Sequence, residues 1–145
     1  FSTQPIIVNG SASGPNQAVL TDVRIGAHPS EGFDRIVFEY AGVLPDDTRI
    51  QYENSAVACG SGATVPVAGS GTLVVHMTAA VAHNDMGQVT VPALDIGGTG
   101  VAILQAKEFC DFEGVVNWAV GTDGTRPFRV TVLSNPGRIV IDVLR

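Results

Sequence analysis

From Ala18 onward, apolar and polar positions alternate with the period of two that marks half-buried β-strands. Val19, Thr21, Val23 and Ile25 fall on one face of an extended segment, and Asp22 and Arg24 fall on the other. The pattern recurs over Asp34 to Tyr40, with Ile36, Phe38 and Tyr40 inward and Arg35, Val37 and Glu39 outward. Thr48, Ile50 and Tyr52 alternate with Arg49, Gln51 and Glu53. After a glycine-rich turn around Gly60 and Gly62, Leu73, Val75 and Met77 alternate with Val74 and His76. Each such run predicts one strand.

The segment from Thr78 to Gly100 is less regular, and Pro92 with the Gly97-Gly98 pair punctuates it as a long connection with room for one helical turn. Strands are predicted again at Gly100 to Glu108 and Val115 to Gly121. The latter runs into Thr122-Asp123-Gly124, where Asp-Gly between this strand and the RPFRVTVL pattern predicts a type I′ hairpin. The last strand covers Arg138 to Leu144 with Ile139, Ile141 and Val143 inward. No segment holds helical periodicity over three turns. Eight or nine short, mostly antiparallel strands with little or no helix predict an all-β sandwich.

The 145-residue length fits one domain. Residues 1 to 17, FSTQPIIVNGSASGPNQ, contain one apolar IIV patch among Ser, Gly, Pro, Gln and Asn, and are expected to form a flexible tether ahead of a domain spanning 18 to 145. A net charge of -6 with a single Lys argues against nucleic acid and anionic membrane surfaces, both of which are bound through a Lys/Arg excess. No apolar run is long enough to span a bilayer, and no cleavable leader pattern is present. A first residue of Phe fits a mature or trimmed form with its targeting segment upstream. Cys59 and Cys110 lack metal-ligand spacing; in an exported protein they read as a disulfide, the alternative being two buried thiols.

Two heptads echo each other: DRIVFEY, Asp34 to Tyr40, and GRIVIDV, Gly137 to Val143. Strand alternation puts Arg35 and Glu39, and likewise Arg138 and Asp142, on outer faces. If the two strands pair antiparallel, the Arg of one meets the acid of the other and holds register. These segments resemble the RVVFDL-like and PxRLVIDL-like signatures of AMIN domains, non-catalytic targeting modules found beside bacterial amidases and secretins. Together with LTDVRIGAHPSEGFDRIVFEY, VPVAGSGTLVVHMTAAVAHNDMGQVT and DFEGVVNWAVGTDGTRPFRVTVLSNPGRIVIDV, the chain from Ala18 to Val143 resembles the AMIN-like domain of exported and lipoprotein-type proteins of high-GC Gram-positive bacteria. DFEG and RPFRV are the most specific parts. The resemblance implies a β-sandwich at the cell envelope, lipid-anchored where an upstream segment supplies the anchor, that binds peptidoglycan or other cell-wall material. The alternative is an interaction or assembly module that docks an envelope protein through a sheet edge or its acidic surface, and a hydrolase is the third reading. The chain differs from the AMIN pattern in that no catalytic domain or lipidation cysteine accompanies these residues.

Ser61 and Ser70 lie in glycine-rich turns without a G-x-S-x-G elbow, so His28, His76 and His83 have no nucleophile to serve. His76 and His83 lack zinc-site spacing, and Asp46, Asp47, Asn84, Asp85 and Asp95 complete no calcium loop. No catalytic residue, metal or cofactor is therefore expected. Trp118 shares a strand face with Val116 and Val120 and reads as core rather than as a sugar platform. There remains an outward lattice of Arg24, Arg35, Arg129 and Arg138 with Asp22, Glu39 and Asp142. It reads either as a solvated, salt-bridged face or as guanidinium forks for carboxylates of stem peptides or wall polymers. Glu113 and Arg126, beside the DFEG and RPF turns, are loop candidates.

Overall fold

A computed structural model describes residues 1–145 and contains strands, turns and no helix. Consequently, no helix is long and apolar enough to cross a membrane. The strands are β1 (Ile6–Asn9), β2 (Ala18–His28), β3 (Phe33–Ala41), β4 (Asp47–Glu53), β5 (Ala56–Val57), β6 (Thr64–Val65) and β7 (Gly71–Thr78), then β8 (Ala80–Val81), β9 (Asp95–Gly97), β10 (Ile103–Phe112), β11 (Val115–Thr122), β12 (Phe128–Leu133) and β13 (Gly137–Leu144). Eight of them, β2, β3, β4, β7, β10, β11, β12 and β13, have six or more residues and are the strands that alternation predicts. The other five are short segments without a periodic signal.

Two sheets face each other. One has the order β1-β4-β7-β11-β10-β9 and the other β12-β13-β3-β2-β8, while β5 and β6 form a separate ribbon. All pairings are antiparallel except β2 with β8. The core lies between the sheets. Leu20, Ile36, Phe38, Tyr40, Ile139, Ile141 and Val143 enter from the five-stranded sheet, and Ile50, Leu73, Val75, Met77, Val116, Trp118 and Val120 from the six-stranded one. Trp118 meets the ring of Phe38 edge-on, with centroids 5.9 Å apart, and is core as expected.

The structure corrects four sequence expectations. The phase of β2 breaks at a bulge, because Leu20 pairs with Tyr40 and Asp22 with Glu39, leaving Thr21 as the extra residue. Leu20 is therefore inward where alternation alone places Val19, and Val23 resumes the inward face beyond the bulge. The Asp-Gly turn after β11 does not close a hairpin, since β11 and β12 belong to different sheets and the chain crosses between them there. A type I′ turn needs positive φ at both central residues; at this corner only Gly124 has it. Such a pair occurs instead at Glu113 and Gly114, φ 51° and 77°, between β10 and β11. The connection from Thr78 to Gly100 has no helical turn but holds β8, β9 and a bridge between His83 and Val89.

The fourth correction concerns residues 1 to 17. Ile6, Ile7, Val8 and Asn9 pair with β4, Ser2 exchanges backbone hydrogen bonds with Phe128 of the other sheet, and Ala12 is buried in the core. A short apolar patch suffices because β4 offers it an unpaired edge, and pairing there satisfies backbone groups that a free tether would leave to water. Deleting residues 1–17 should cost roughly 2–4 kcal/mol of burial and pairing, a drop of about 5–12 °C in melting temperature. Calorimetry checks it, and an unchanged transition would mean that β1 contributes nothing.

Cys59, in the β5–β6 turn, and Cys110, on β10, form a disulfide with Cα atoms 5.4 Å apart. The bridge spans a sequence separation of 51 and ties the ribbon to the six-stranded sheet. Alkylation under denaturing, non-reducing conditions should add no label to the native oxidised protein by intact mass, and two labels after reduction.

Candidate functional site

The outer face of the five-stranded sheet gathers most of the polar residues singled out from sequence. Antiparallel pairing of β13 with β3 sets Asp142 opposite Arg35 and Arg138 opposite Glu39, the register that the repeated heptads suggest. Pairing of β12 with β13 then sets Arg129 beside the same acid. Arg35 grips Asp142 with two donors, Nε to Oδ1 at 2.6 Å and Nη2 to Oδ2 at 3.0 Å, while Arg129 Nε donates to Oδ2 at 2.9 Å. Asp142 is only 1% exposed. Burial pushes its carboxyl up, but the hydrogen bonds and charge of Arg35 and Arg129 outweigh this and hold it below its ordinary value.

The second expected pair does not form. Arg138 donates to the backbone carbonyls of Pro136 and Ser134, at 3.1 and 3.2 Å. Glu39 is taken by Arg24, whose Nη1 lies 3.2 Å from Oε1 and 2.7 Å from Asp22 Oδ2. The β2 bulge sets Asp22 directly across from Glu39, and a guanidinium shared between them relieves the like-charge contact. Arg24 is exposed, so these pairs hold orientation more than stability.

An aromatic cluster adjoins this lattice. The Arg129 guanidinium lies over the Phe1 ring at 4.5 Å and the Phe33 ring at 5.1 Å, and Arg35 lies 5.2 Å from Phe33. His28 stacks on Phe33 with centroids 5.1 Å apart and has Glu31 at 3.2 Å. Beside the cluster, Arg24, Gly26, His28, Arg35 and Val37 line a shallow depression of about 190 Å³. Phe1 escapes a reading of the sequence because nothing in residues 1 to 17 says that the backbone of Ser2 docks on β12. Glu113 and Arg126 are not part of this face. They stand beyond opposite ends of β11, Glu113 on a hairpin tip and Arg126 bonded to Asp123.

A second buried acid also escapes the sequence patterns. Asp34 is fully buried, accepts the backbone N–H groups of Ala102 at 2.6 Å and Ile103 at 3.1 Å, and pairs with Arg145 at 3.0 Å. Burial raises its carboxyl, and these partners together bring it below its ordinary value. Gly100 is obligatory beside it, since a Cβ there would fall on the carboxylate. The signal is the acid opening DRIVFEY, but its partners lie far off in sequence, at the start of β10 and just past β13.

A third cluster sits at the margin of the core. Glu108 immediately precedes a bulge in β10, Asp111 lies a little past it, and His83 Nδ1 lies 2.7 Å from Asp111 Oδ2. Burial first and Asp111 second push the Glu108 carboxyl up to about 7, against the smaller opposing effects of Trp118 and His83. Ser61 caps its own turn by accepting from Ala63 N at 3.2 Å, and no group of three His, Cys, Asp or Glu is placed to hold a metal.

Two mostly antiparallel sheets facing each other, with a guanidinium lattice on one outer face, define a β-sandwich. A profile of the AMIN-like domain matches residues 18–145, and the chain belongs to that family. Such domains occur in exported envelope proteins and are, as a class, non-catalytic. No curated protein and no solved structure gives a significant match to the chain.

The two kinds of acid act in opposite pH ranges. Glu108, raised in the folded state, favours folding at low pH and loses that contribution as pH rises from about 4.5 through about 7. Asp34 and Asp142, lowered in the folded state, contribute above their ordinary value of 3.8 and lose that contribution on further acidification. Because Glu108 is only partly buried, screening reduces its share to on the order of 1 kcal/mol. Glu108→Gln should therefore flatten the decline in stability between about pH 5 and pH 8 in urea unfolding curves. An unaltered slope would show that Glu108 is not the group responsible.

Proposed function

We propose that this domain binds carboxylate-bearing cell-wall material, with peptidoglycan stem peptides as the favoured ligand, through the outer face of its five-stranded sheet and without catalysis. The supporting observation is the gathering of Arg24, Arg35, Arg129 and Arg138 on neighbouring strands of one face, in a chain whose net charge is -6. Asp22, Glu39 and Asp142 offset three of the four charges and hold the side chains in place. Preorganised guanidinium forks are the side chains best suited to bidentate carboxylate recognition. AMIN-like membership supplies the envelope setting, and an anchor upstream of these residues would keep the domain at the cell surface.

A protein partner is the second reading, favoured by one specific feature. Strand β12 is a sheet edge whose outer side pairs only with Ser2, and its Val132 and Leu133 are 48% and 40% exposed beside a hollow of about 380 Å³. An extended peptide adding to that edge would use backbone hydrogen bonds rather than the arginines.

Co-sedimentation with insoluble cell wall separates the two. Arg35 is left intact in the test because it is the bidentate partner of Asp142. The triple variant Arg24→Gln, Arg129→Gln, Arg138→Gln should fold, with melting lowered by a few degrees, and bind wall at least about tenfold more weakly. Wild-type binding should also weaken as salt is raised. Undiminished pelleting by the folded triple variant would refute the arginine face as the binding surface.

A further inference from the structure

The opposite side of the sandwich carries a cavity that the arginine lattice does not touch. The β5–β6 ribbon, held to β10 by the disulfide, stands beside the outer face of the six-stranded sheet, and a space of about 210 Å³ opens there. It exceeds the room needed for one water, ~30 Å³ in the liquid. Its walls come from four elements of that sheet and the ribbon: Glu53 ends β4, Val57 belongs to β5, His76 to β7, Phe109 to β10 and Asn117 to β11, with Ser55 in the β4–β5 link. No Lys or Arg lines it; Arg49 is opposite His76 in register but stays outside the wall.

The polar groups on this wall share one property, the capacity to accept. Glu53 presents a carboxylate, Asn117 an amide carbonyl, Ser55 a hydroxyl oxygen and His76 a ring nitrogen. Asn117 Oδ1 is buried and has no hydrogen-bond donor, which is a cost for a polar atom unless something supplies one. Phe109, Val57 and Val74 add an aromatic ring and two aliphatic groups. A negative charge, an unfilled carbonyl and an aromatic ring around a small space suit a cation with N–H donors and an apolar stem.

We propose that this cavity binds an aliphatic primary ammonium group, of the kind borne by a diamino-acid side chain, with Glu53 as counter-ion, Asn117 Oδ1 as hydrogen-bond acceptor and Phe109 against the ammonium or its stem. The site stands independently of the wall-binding reading and lies on the other sheet. Where both hold, one ligand chain could present carboxylates to one face and amines to the other of two neighbouring domains.

The probe is n-butylammonium, monitored by two-dimensional NMR of the intact disulfide-bonded protein, with n-butanol and butyrate as controls. Saturable shifts of the Asn117 side-chain amide and the Phe109 ring are expected, with Kd on the order of 1–10 mM for so small a ligand. The controls should give no saturation at the same sites. Glu53→Gln should weaken binding about tenfold or more while leaving the melting transition in place, because Glu53 is exposed. Asn117→Asp, which replaces the amide by a second acceptor-only carboxylate, should keep or strengthen it. Equal response to butanol, full binding by Glu53→Gln, or no saturation by butylammonium would each overturn the proposal. The triple Gln variant of the arginine face should bind butylammonium normally, so failure of one site is read separately from failure of the other.

Discussion

The carboxylate of Asp142 is the constraint around which the five-stranded sheet is arranged. Strand β13 lies between β12 and β3, and this one acid takes charged donors from both neighbours, Arg129 on one side and Arg35 on the other. Its net worth as an interaction is modest, because a buried ion pair must first recover its desolvation cost. Its value lies in the penalty for pairing the strands wrongly. A slip by one residue would turn Ile139, Ile141 and Val143 outward and drive Asp142 into the core without a partner. An uncompensated buried charge costs about 3–5 kcal/mol, a large share of the stability of any domain.

Asp34 applies the same logic between the sheets. It sits on β3 opposite Val143, so it turns to the inner side while Arg35 turns outward to Asp142. There it is satisfied by the N–H groups of Ala102 and Ile103, where the six-stranded sheet begins β10, and by Arg145 just past β13. One heptad therefore carries two fasteners, one lateral and one across the sandwich. Fixing the start of β10 also fixes the residues farther along that strand, namely Glu108 against Trp118 and Cys110 against the ribbon that carries Cys59.

How much of this is legible in the sequence depends on whether the determinant is local. The inward sets Ile36, Phe38, Tyr40 and Ile139, Ile141, Val143 follow from period two alone, and all six are at most 1% exposed. The pairing of Asp142 with Arg35 comes from reading two heptads against each other. By contrast, the bulge at Thr21 shifts phase within a strand that still looks regular, and the docking of Ile6 to Asn9 depends on an edge of β4 that no local pattern reveals. The Asp-Gly after β11 misleads for a related reason: the dipeptide suits a tight turn, but whether the chain then folds back or crosses to the other sheet is decided by the register of β12 on β13. The partners of Asp34, and the cavity beneath the ribbon, arise from contacts between segments far apart in sequence.

The arginine face is constrained by the interactions that build it. Arg35 already commits Nε and Nη2 to Asp142, so a ligand carboxylate drawing it away would leave a buried acid short of its partner. Arg129 is different, since only its Nε is committed and its terminal nitrogens make no hydrogen bond within the chain. Its plane is held by Phe1 and Phe33, and Phe1 is held in turn by the exchange of hydrogen bonds between Ser2 and Phe128. The orientation of the most available guanidinium therefore depends on the N-terminal segment, which also closes the β4 edge of the opposite sheet through β1. The stability of the fold and the orientation of Arg129 are coupled through these first nine residues, so the arginine face formed by β2, β3, β12 and β13 is complete only when the chain ahead of β2 is in place.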